Sequence, residues 1–154
     1  MALEIERKFL INKEKLPKLT GGKKLTQGYL SFHQPSIRVR IAENEAFLTI
    51  KGSSNDGGIS RSEFEYPLPL QDAKELLGEC KGLLVVKTRY EIEHQGHIWE
   101  LDIFEGENEG LIVAEIELRS ADGSFALPSW VTTEVSTDTR YTNAALAQKP
   151  FKQW

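Results

Sequence analysis

Cysteine and histidine are scarce in this sequence, which has one cysteine, Cys80, and three histidines. A single cysteine excludes an intrachain disulfide, which fits a reducing compartment. The histidines, His33, His94 and His97, lack the paired spacing with Cys80 that a tetrahedral zinc site needs. No glycine-rich segment ends in Gly-Lys-Ser or Gly-Lys-Thr, so a phosphate loop of the Walker type is excluded as well.

Long apolar runs are also missing, and none is long enough to span a bilayer. The N-terminus has no apolar signal-peptide core, so we expect a cytoplasmic protein without membrane contacts. A net charge of −4 provides no bulk attraction to nucleic acid, and no nucleic-acid partner is expected. A length of 154 residues with 40% apolar residues is long enough to bury the core of one domain, predicted over residues 1–154.

Charged residues at a spacing of two are the abundant feature of the chain. Glu4, Glu6 and Lys8 share one face of a predicted strand, because side chains alternate along a strand. Ile5 and Phe9 lie on the opposite face. The same spacing recurs in the pairs Arg38 and Arg40, Glu63 and Glu65, Lys87 and Arg89, Glu100 and Asp102, and Glu115 and Glu117.

Alternation and turn residues predict a mainly β fold with about eight strands. The predicted strands lie near 3–10, 25–32, 36–42, 46–52, 60–67, 83–94, 97–104 and 111–119. A helix is predicted from Leu70 to Cys80, because apolar residues keep helical spacing between Pro69 and Gly82. Shorter helices are expected after Ser120 and over about 143–148.

Two architectures satisfy the strong separation of charged and apolar strand faces. One is an open antiparallel sheet whose charged face lies in water. The other is a closed barrel with the charges inside and the apolar face covered by helices or a partner. A membrane barrel has the same apolar outer face, but the missing signal peptide and the amphipathic helix argue against it.

The simplest interpretation of these charges is a solvent-exposed sheet face, on which each cross-strand pair stabilises the sheet by roughly 0.2–1 kcal/mol. It accounts for any single pair, but the recurrence in nearly every strand favours a site for a polyanion and a metal. Arginine pairs suit the bidentate binding of phosphate oxygens. Carboxylates can hold a hard cation that bridges those oxygens, and oxygen ligands favour Mg²⁺ or Mn²⁺.

These motifs, in this order, resemble the CYTH superfamily, also called the triphosphate tunnel metalloenzymes. The resemblance starts at the Glu-x-Glu-x-Lys motif of Glu4, Glu6 and Lys8 and covers almost the full chain. It continues through Gln27-Gly28-Tyr29-Leu30, Arg38-x-Arg40, Leu48 to Lys51, Ser60 to Glu65, Lys87-x-Arg89-Tyr90, Glu100-x-Asp102, Ala114 to Glu117 and Asp138-x-Arg140-Tyr141-x-Asn143. The compact length resembles the small bacterial members, which are often inorganic triphosphatases.

The resemblance implies a closed eight-stranded antiparallel barrel with a few peripheral helices and an active site in its lumen. Phosphate would be bound by Lys8, Arg38, Arg40, Lys51, Lys87, Arg89 and Arg140. The metal, Mg²⁺ or Mn²⁺, would be held by Glu4, Glu6, Glu115 and Glu117, with Asp102 counted among the metal residues. Glu63 and Asp102 would orient metal, water or basic side chains, so Glu63 joins Lys8 as a catalytic candidate. Lys8, expected among other cations, is the candidate base or water-positioning group.

The function expected from this resemblance is metal-dependent hydrolysis of inorganic triphosphate to pyrophosphate and phosphate. Adenylate cyclase and thiamine or nucleoside triphosphatase are the alternatives within the family. A non-catalytic polyphosphate-binding module is a third, although it would not need the carboxylates. A purely structural salt-bridged barrel is disfavoured by the cost of burying so many charges. The expected partner is a small triphosphate, and a homodimer is left open.

Overall fold

Eight antiparallel strands close into a barrel in the computed structural model, which describes residues 3–154. They are β1 (Leu3–Ile11), β2 (Lys23–Ser31), β3 (Ser36–Ala42), β4 (Glu45–Lys51), β5 (Ser60–Leu68), β6 (Lys81–His94), β7 (His97–Phe104) and β8 (Ile112–Glu117). Their order is β5-β4-β3-β2-β6-β7-β8-β1, and the pairing of β1 with β5 closes the ring. The predicted barrel is confirmed, and the open sheet is excluded.

A ninth strand, β9 (Val131–Glu134), was not predicted. It pairs with the end of β1, at Phe9 and Ile11, on the edge that β5 covers only near Leu3–Ile5. The Glu134 carboxylate accepts two hydrogen bonds from Arg7, at 2.6 and 2.8 Å. A four-residue strand has too short an alternation to be recognised from sequence, so its position depends on this contact with β1.

Two α-helices cover the barrel. Helix α1 (Leu70–Leu77) packs on the outer face around Val39, Ala46 and Ala73, and it ends at Gly78 before the predicted limit. Helix α2 (Asn143–Gln148) lies where it was predicted, and it begins where the Ala145 amide donates to the Thr142 hydroxyl. Four short 3₁₀ helices span Lys13–Lys15, Gly106–Asn108, Thr139–Tyr141 and Phe151–Gln153. No described helix is long and apolar enough to cross a membrane.

The prediction of a short helix after Ser120 is wrong. Residues 120–130 form a turn followed by extended chain, a conformation favoured by Gly123 and Pro128. This segment lies over the outer apolar face of β1, β7 and β8, where Trp99 meets Phe125 and Trp130 at ring-centre distances of 5.7 Å. Because the chain covers its own apolar outer wall, the polar strand face is directed into the lumen.

Helix α2 packs against one end of the barrel, here called the α2 end, and fills part of it. Leu146 and Ala147 are fully buried against Tyr29, Val85 and Phe104, which project inward from the strands at that end. The apolar plug leaves the middle of the lumen to the charged residues. The opposite opening, here called the far mouth, is formed by the other ends of the same strands.

Candidate active site

The middle of the lumen holds a cavity of about 230 Å³ whose lining has no apolar side chain. It is lined by Glu4, Glu6, Arg38, Arg40, Lys51, Glu63, Glu65, Arg89, Glu100, Glu115, Glu117 and Asn143. Inward-facing positions of neighbouring strands bring these residues together, because every second residue of a barrel strand faces the inside. Nine of the predicted site residues therefore meet in one cavity, although they are spread over more than 110 positions of the chain.

The carboxylates of β1 and β8 lie side by side, with Glu6 opposite Glu117 and Lys8 opposite Glu115. Burial, reinforced by the charges of Glu115 and Glu4, raises the pKa of Glu6 to about 8. Burial acts on Glu115 in the same direction, but Lys8 and Arg89 outweigh it and hold that pKa well below its usual range. At neutral pH Glu6 is therefore protonated and hydrogen-bonded to an ionised Glu115.

Lys51 lies between two carboxylates, with Nζ 2.8 Å from Glu4 and 3.5 Å from Glu63. Burial alone would lower the pKa of Lys51, but the nearby Glu6 and Glu4 outweigh it and raise that pKa. Burial, with a contribution from Glu63, raises the pKa of Glu4. Lys51 thus neutralises the acidic side of the cavity when no ligand is bound.

Arg38 and Arg40 are the lumen cations with the fewest acidic partners. Arg38 donates to Thr49 at 3.2 Å, lies 4.0 Å from Glu65, and has a buried Nε without a partner. Arg40 donates to the Gln27 side chain at 2.8 Å, and within residues 3–154 it forms no ion pair. Burial and the neighbouring Arg38 lower the pKa of Arg40 to about 9. These two guanidiniums have unused donors that an anion can accept.

Arg89 is held by a fully buried carboxylate. Its Nε and Nη2 donate to the two oxygens of Asp102 at 2.7 and 2.9 Å. Lys87, also fully buried, places Nζ 2.7 Å from Asp102 and donates to Asn143 at 2.9 Å. Burial, together with Arg89 and Arg40, lowers the pKa of Lys87 to about 7, whereas Lys87 and Arg89 overcome burial and keep the pKa of Asp102 low.

Lys87 and Asp102 consequently lie on inward-facing positions but are fully buried, and they do not line the cavity. Their contacts hold Arg89 in place, which agrees with the expectation that Asp102 orients basic side chains. Direct contact of Lys87 with phosphate, and of Asp102 with metal, remain predictions.

Lys8 lies at the α2 end in a small space of about 80 Å³, here called the end cavity. Its Nζ is 3.4 Å from Glu115 and donates to the Tyr141 carbonyl at 3.0 Å. Lys8 was expected among other cations, and the β1–β8 register also places the carboxylate of Glu115 directly opposite it. The end cavity shares Glu6, Arg38, Lys51 and Asn143 with the lumen cavity, so the two adjoin.

Arg140 lies outside the lumen and is mostly exposed. It forms a two-pronged contact with Asp138 and packs over the Trp154 ring at 4.8 Å. The exposed 3₁₀ turn Thr139–Tyr141 carries Arg140, so alternation along a strand does not direct it inward. A phosphate contact by Arg140 remains a prediction.

The carboxylates of the lumen fit a hard divalent cation in their chemistry, because they offer only oxygen donors. Burial first, and then the charge of Glu115, raises the pKa of Glu6, so this position disfavours a second negative charge unless a cation compensates it. Within residues 3–154, however, no three His, Cys, Asp or Glu side chains stand ready as a metal site. Lys51 on Glu4 and Lys8 on Glu115 occupy the carboxylates that a cation would use.

Gln27, Thr49 and Asn143 support the site through Arg40, Arg38 and Lys87, and sequence reasoning gave them no role. Gln27 and Thr49 are almost fully buried on inward positions of β2 and β4. A neutral polar residue on the charged face of a strand is the signal that could have identified them. Asn143 begins α2, and only the docking of that helix brings it to Lys87.

Comparisons with known proteins agree in sequence and in fold. The CYTH domain family matches residues 2–149 of the chain. An inorganic triphosphatase of Acetivibrio thermocellus is 41% identical over 156 aligned positions, covering 100% of this chain and 99% of that protein. An inorganic triphosphatase of Nitrosomonas europaea is 38% identical, covering 94% and 96%. The crystal structure of an inorganic triphosphatase superimposes with a TM-score of 0.68 at 34% identity, covering 96% of this chain and 95% of that one.

Proposed function

Because the chain belongs to the CYTH domain family, we propose that it hydrolyses inorganic triphosphate to pyrophosphate and phosphate in the lumen of its barrel. The observation that carries this proposal is the lumen lining of seven carboxylates and four cations without an apolar side chain. A phosphate chain needs the cations, a bridging metal needs the carboxylates, and nothing in this cavity is suited to an organic group.

The phosphate chain would lie along Arg38, Arg40 and Arg89. Arg38 and Arg40 have unused donors, and Arg89 is held rigidly by Asp102, so the site is largely in place before binding. Donors that need no reorganisation stabilise the charge that develops on the transferred phosphoryl group. Lys51 and Lys8 add positive charge on the acidic side of the lumen.

Glu4, Glu6, Glu115 and Glu117 are the residues that would hold the divalent cation, Mg²⁺ or Mn²⁺. When bound, the cation would neutralise phosphate oxygens and lower the pKa of the attacking water. Lys51 now neutralises Glu4, and Lys8 neutralises Glu115. A triphosphate would attract both lysines and free these carboxylates, so substrate and cation should strengthen each other's binding.

In the reaction, water adds to a terminal phosphorus atom as the bridging P–O bond breaks. The electron pair of that bond leaves with pyrophosphate, and the two protons of the water are divided between the products and the medium. Lys8 lies close to Glu115, and Glu63 lies close to Lys51. We assign Lys8 to orienting the attacking water and Glu63 to holding Lys51 in position.

The substrate can be tested by measuring phosphate release from inorganic triphosphate, ATP and thiamine triphosphate in parallel, with Mg²⁺ and with Mn²⁺. Inorganic triphosphate should have the highest kcat/KM, and a chelator should abolish turnover. More efficient turnover of ATP or thiamine triphosphate, or cyclic AMP formed from ATP, would reject the inorganic substrate while leaving the fold unaffected.

Arg38→Ala and Arg89→Ala are expected to lower kcat/KM for all triphosphates by a similar factor, on the order of 10²-fold. The reason is that both guanidiniums face the lumen, where only the phosphate chain common to these substrates would lie. Lys24→Ala, which removes an exposed lysine paired with Glu105 outside the lumen, is the matched control and should retain full activity. A loss confined to one substrate would mean that these arginines contact its organic part.

Metal binding should release a proton from Glu6 below about pH 8. The raised pKa means that Glu6 is protonated in the metal-free protein, and only its ionised form can bind a cation. Apparent affinity should therefore fall about tenfold per pH unit below pH 8 and level off above it. Calorimetry with Mn²⁺ in two buffers of different ionisation enthalpy measures the proton count, and a count of zero at pH 7 would contradict this assignment.

A further inference from the structure

The two openings of the barrel differ in charge. Next to the end cavity lies a larger space of about 610 Å³, here called the outer cavity, between α2, the start of β3 and the C-terminal residues. It is lined by Phe32, Gln34, Ser36, Arg61, Thr139, Arg140, Thr142, Ala144, Ala145, Gln148, Lys149 and Trp154. Three of these residues are cations and none is a carboxylate.

The far mouth, with a cavity of about 460 Å³, has the opposite balance. Its charged lining consists of Lys23, Arg40, Glu45, Glu65, Arg89, Glu91 and Glu100. Arg40, Arg89, Glu65 and Glu100 already belong to the lumen, so this opening adds one cation, Lys23, and two carboxylates, Glu45 and Glu91. A polyanion approaching the far mouth therefore meets an excess of negative charge, whereas one approaching the outer cavity meets no carboxylate in its lining.

The outer cavity adjoins the end cavity. It shares Ser36, Arg61, Thr139, Thr142 and Ala144 with the end cavity. The end cavity in turn shares four residues with the lumen cavity, as described above. These shared residues place the outer cavity next to the end cavity, and the end cavity next to Arg38 of the lumen.

Arg61 is the cation at the boundary between the outer cavity and the end cavity. It faces inward from the start of β5, and within residues 3–154 it forms neither an ion pair nor a side-chain hydrogen bond. Its guanidinium lies against Gly58, where a Cβ would approach Nη2 to 3.1 Å, and Gly58 has a φ of +104° that favours glycine. Arg61 thus has all its donors free beside the passage.

Arg140 contributes less to the field of the outer cavity, because Asp138 neutralises it. Lys149 follows α2 at the exposed rim, where its backbone N–H donates to the Ala145 carbonyl and its own carbonyl accepts from the Trp154 indole. Within residues 3–154 its ammonium group forms no ion pair. The charge available to an anion in the outer cavity therefore comes mainly from Arg61 and Lys149.

We propose that the outer cavity is a phosphate-binding site and the entrance through which triphosphate reaches the lumen, with Arg61 binding the anion at the boundary. The identity of the anion rests on the proposed function, whereas the direction of approach rests on the charges of the two openings. Phosphate groups are the expected ligand class, because the free donors of Arg61 and Lys149 are suited to their oxygens.

The test compares neutral substitutions at the two openings. Arg61→Gln and Lys149→Gln should each lower kcat/KM for triphosphate about threefold to tenfold at low salt, with a smaller change in kcat. The loss should shrink as salt is raised, and Arg61→Lys should restore most of it because the charge is kept. Lys23→Gln removes one cation from the far mouth and should change kcat/KM by less than about twofold.

A second pair of variants blocks each opening with a bulky side chain. Ala145→Trp projects into the outer cavity and should slow substrate capture, whereas Ala42→Trp at the far mouth should not. Circular dichroism and thermal unfolding confirm that each variant is folded. The proposal would be overturned if a variant at the far mouth lost as much activity as its counterpart at the outer cavity, or more. It would also be overturned if Arg61→Gln and Lys149→Gln lost no activity.

Binding without turnover separates this proposal from the proposed function. Calorimetry with inorganic triphosphate in the presence of a chelator measures anion binding even if the protein hydrolyses a different substrate. If Arg61→Gln binds triphosphate more weakly than Lys23→Gln does, the entrance site is supported even if the protein does not hydrolyse triphosphate. If the two variants bind triphosphate equally, the entrance site is rejected even if the wild-type protein hydrolyses triphosphate.

Discussion

Replacing Glu6 by glutamine is expected to lower kcat/KM for triphosphate by about 10²-fold or more while the fold keeps its stability. Because the pKa of Glu6 is raised to about 8, glutamine imitates the protonated side chain of the metal-free protein. The hydrogen bond to Glu115 can therefore be kept, but the charge that a divalent cation needs cannot form. Activity should be lost without a matching loss of melting temperature.

Glu91→Gln is the matched control for this experiment, since Glu91 faces the far mouth and is not among the proposed metal ligands. It removes the same charge and should keep both activity and Mn²⁺ affinity. Mn²⁺ binding, followed by calorimetry, should be weakened in Glu6→Gln. Full activity of Glu6→Gln, or full activity of the wild-type protein in a chelator, would reject the metal site at β1 and β8.

Replacing Asp102 by asparagine is expected to destabilise the protein by roughly 3–5 kcal/mol. Asp102 is fully buried and is the acidic partner of both Lys87 and Arg89, at 2.7 Å from each. Its loss would leave two buried cations inside the barrel without this compensating charge. Urea unfolding followed by circular dichroism measures the free energy of unfolding, and kcat/KM should fall as well because Arg89 loses its support.

Asp138→Asn is the matched control, because Asp138 forms the same two-pronged contact with the exposed Arg140. Water screens that pair, so little change in stability is expected. Adding Lys87→Met to Asp102→Asn should recover part of the lost stability by removing one of the uncompensated charges. An Asp102→Asn protein as stable as wild type would show that the buried cations are neutralised by another route, such as deprotonation of Lys87.

Most of the barrel could be predicted from the sequence because the alternation is long and unambiguous in eight strands. The charged positions of β3 and β8, such as Arg38 and Glu115, are separated by apolar residues that can only face the other way. The strand ends differ from the prediction by no more than two residues. The failures, β9 and the segment 120–130, are short or irregular and derive their conformation from contacts with β1 and the outer wall.

Most residues of the candidate site could be predicted from the sequence, but the contacts among them could not. Which charge pairs with which depends on residues far apart in the chain, such as Lys51 with Glu4 and Arg89 with Asp102. Local pattern carries no information about such distances, because they follow from strand order and register. For this reason the contacts of Lys8 with Glu115 and the Tyr141 carbonyl were not predicted, and the supporting roles of Gln27 and Asn143 were missed.

The sequence by itself determined the two faces of each strand and the kinds of charged group that share one of them. That information is local, since side-chain direction alternates with every residue. Only the tertiary structure decided which charges line the cavity, which are fully buried inside the barrel and which lie outside it. Closure of β1 onto β5 and the docking of α2 placed Glu6 in the cavity, Lys87 in the buried interior beside α2 and Arg140 on the exterior, because burial and pairing depend on what packs around a side chain.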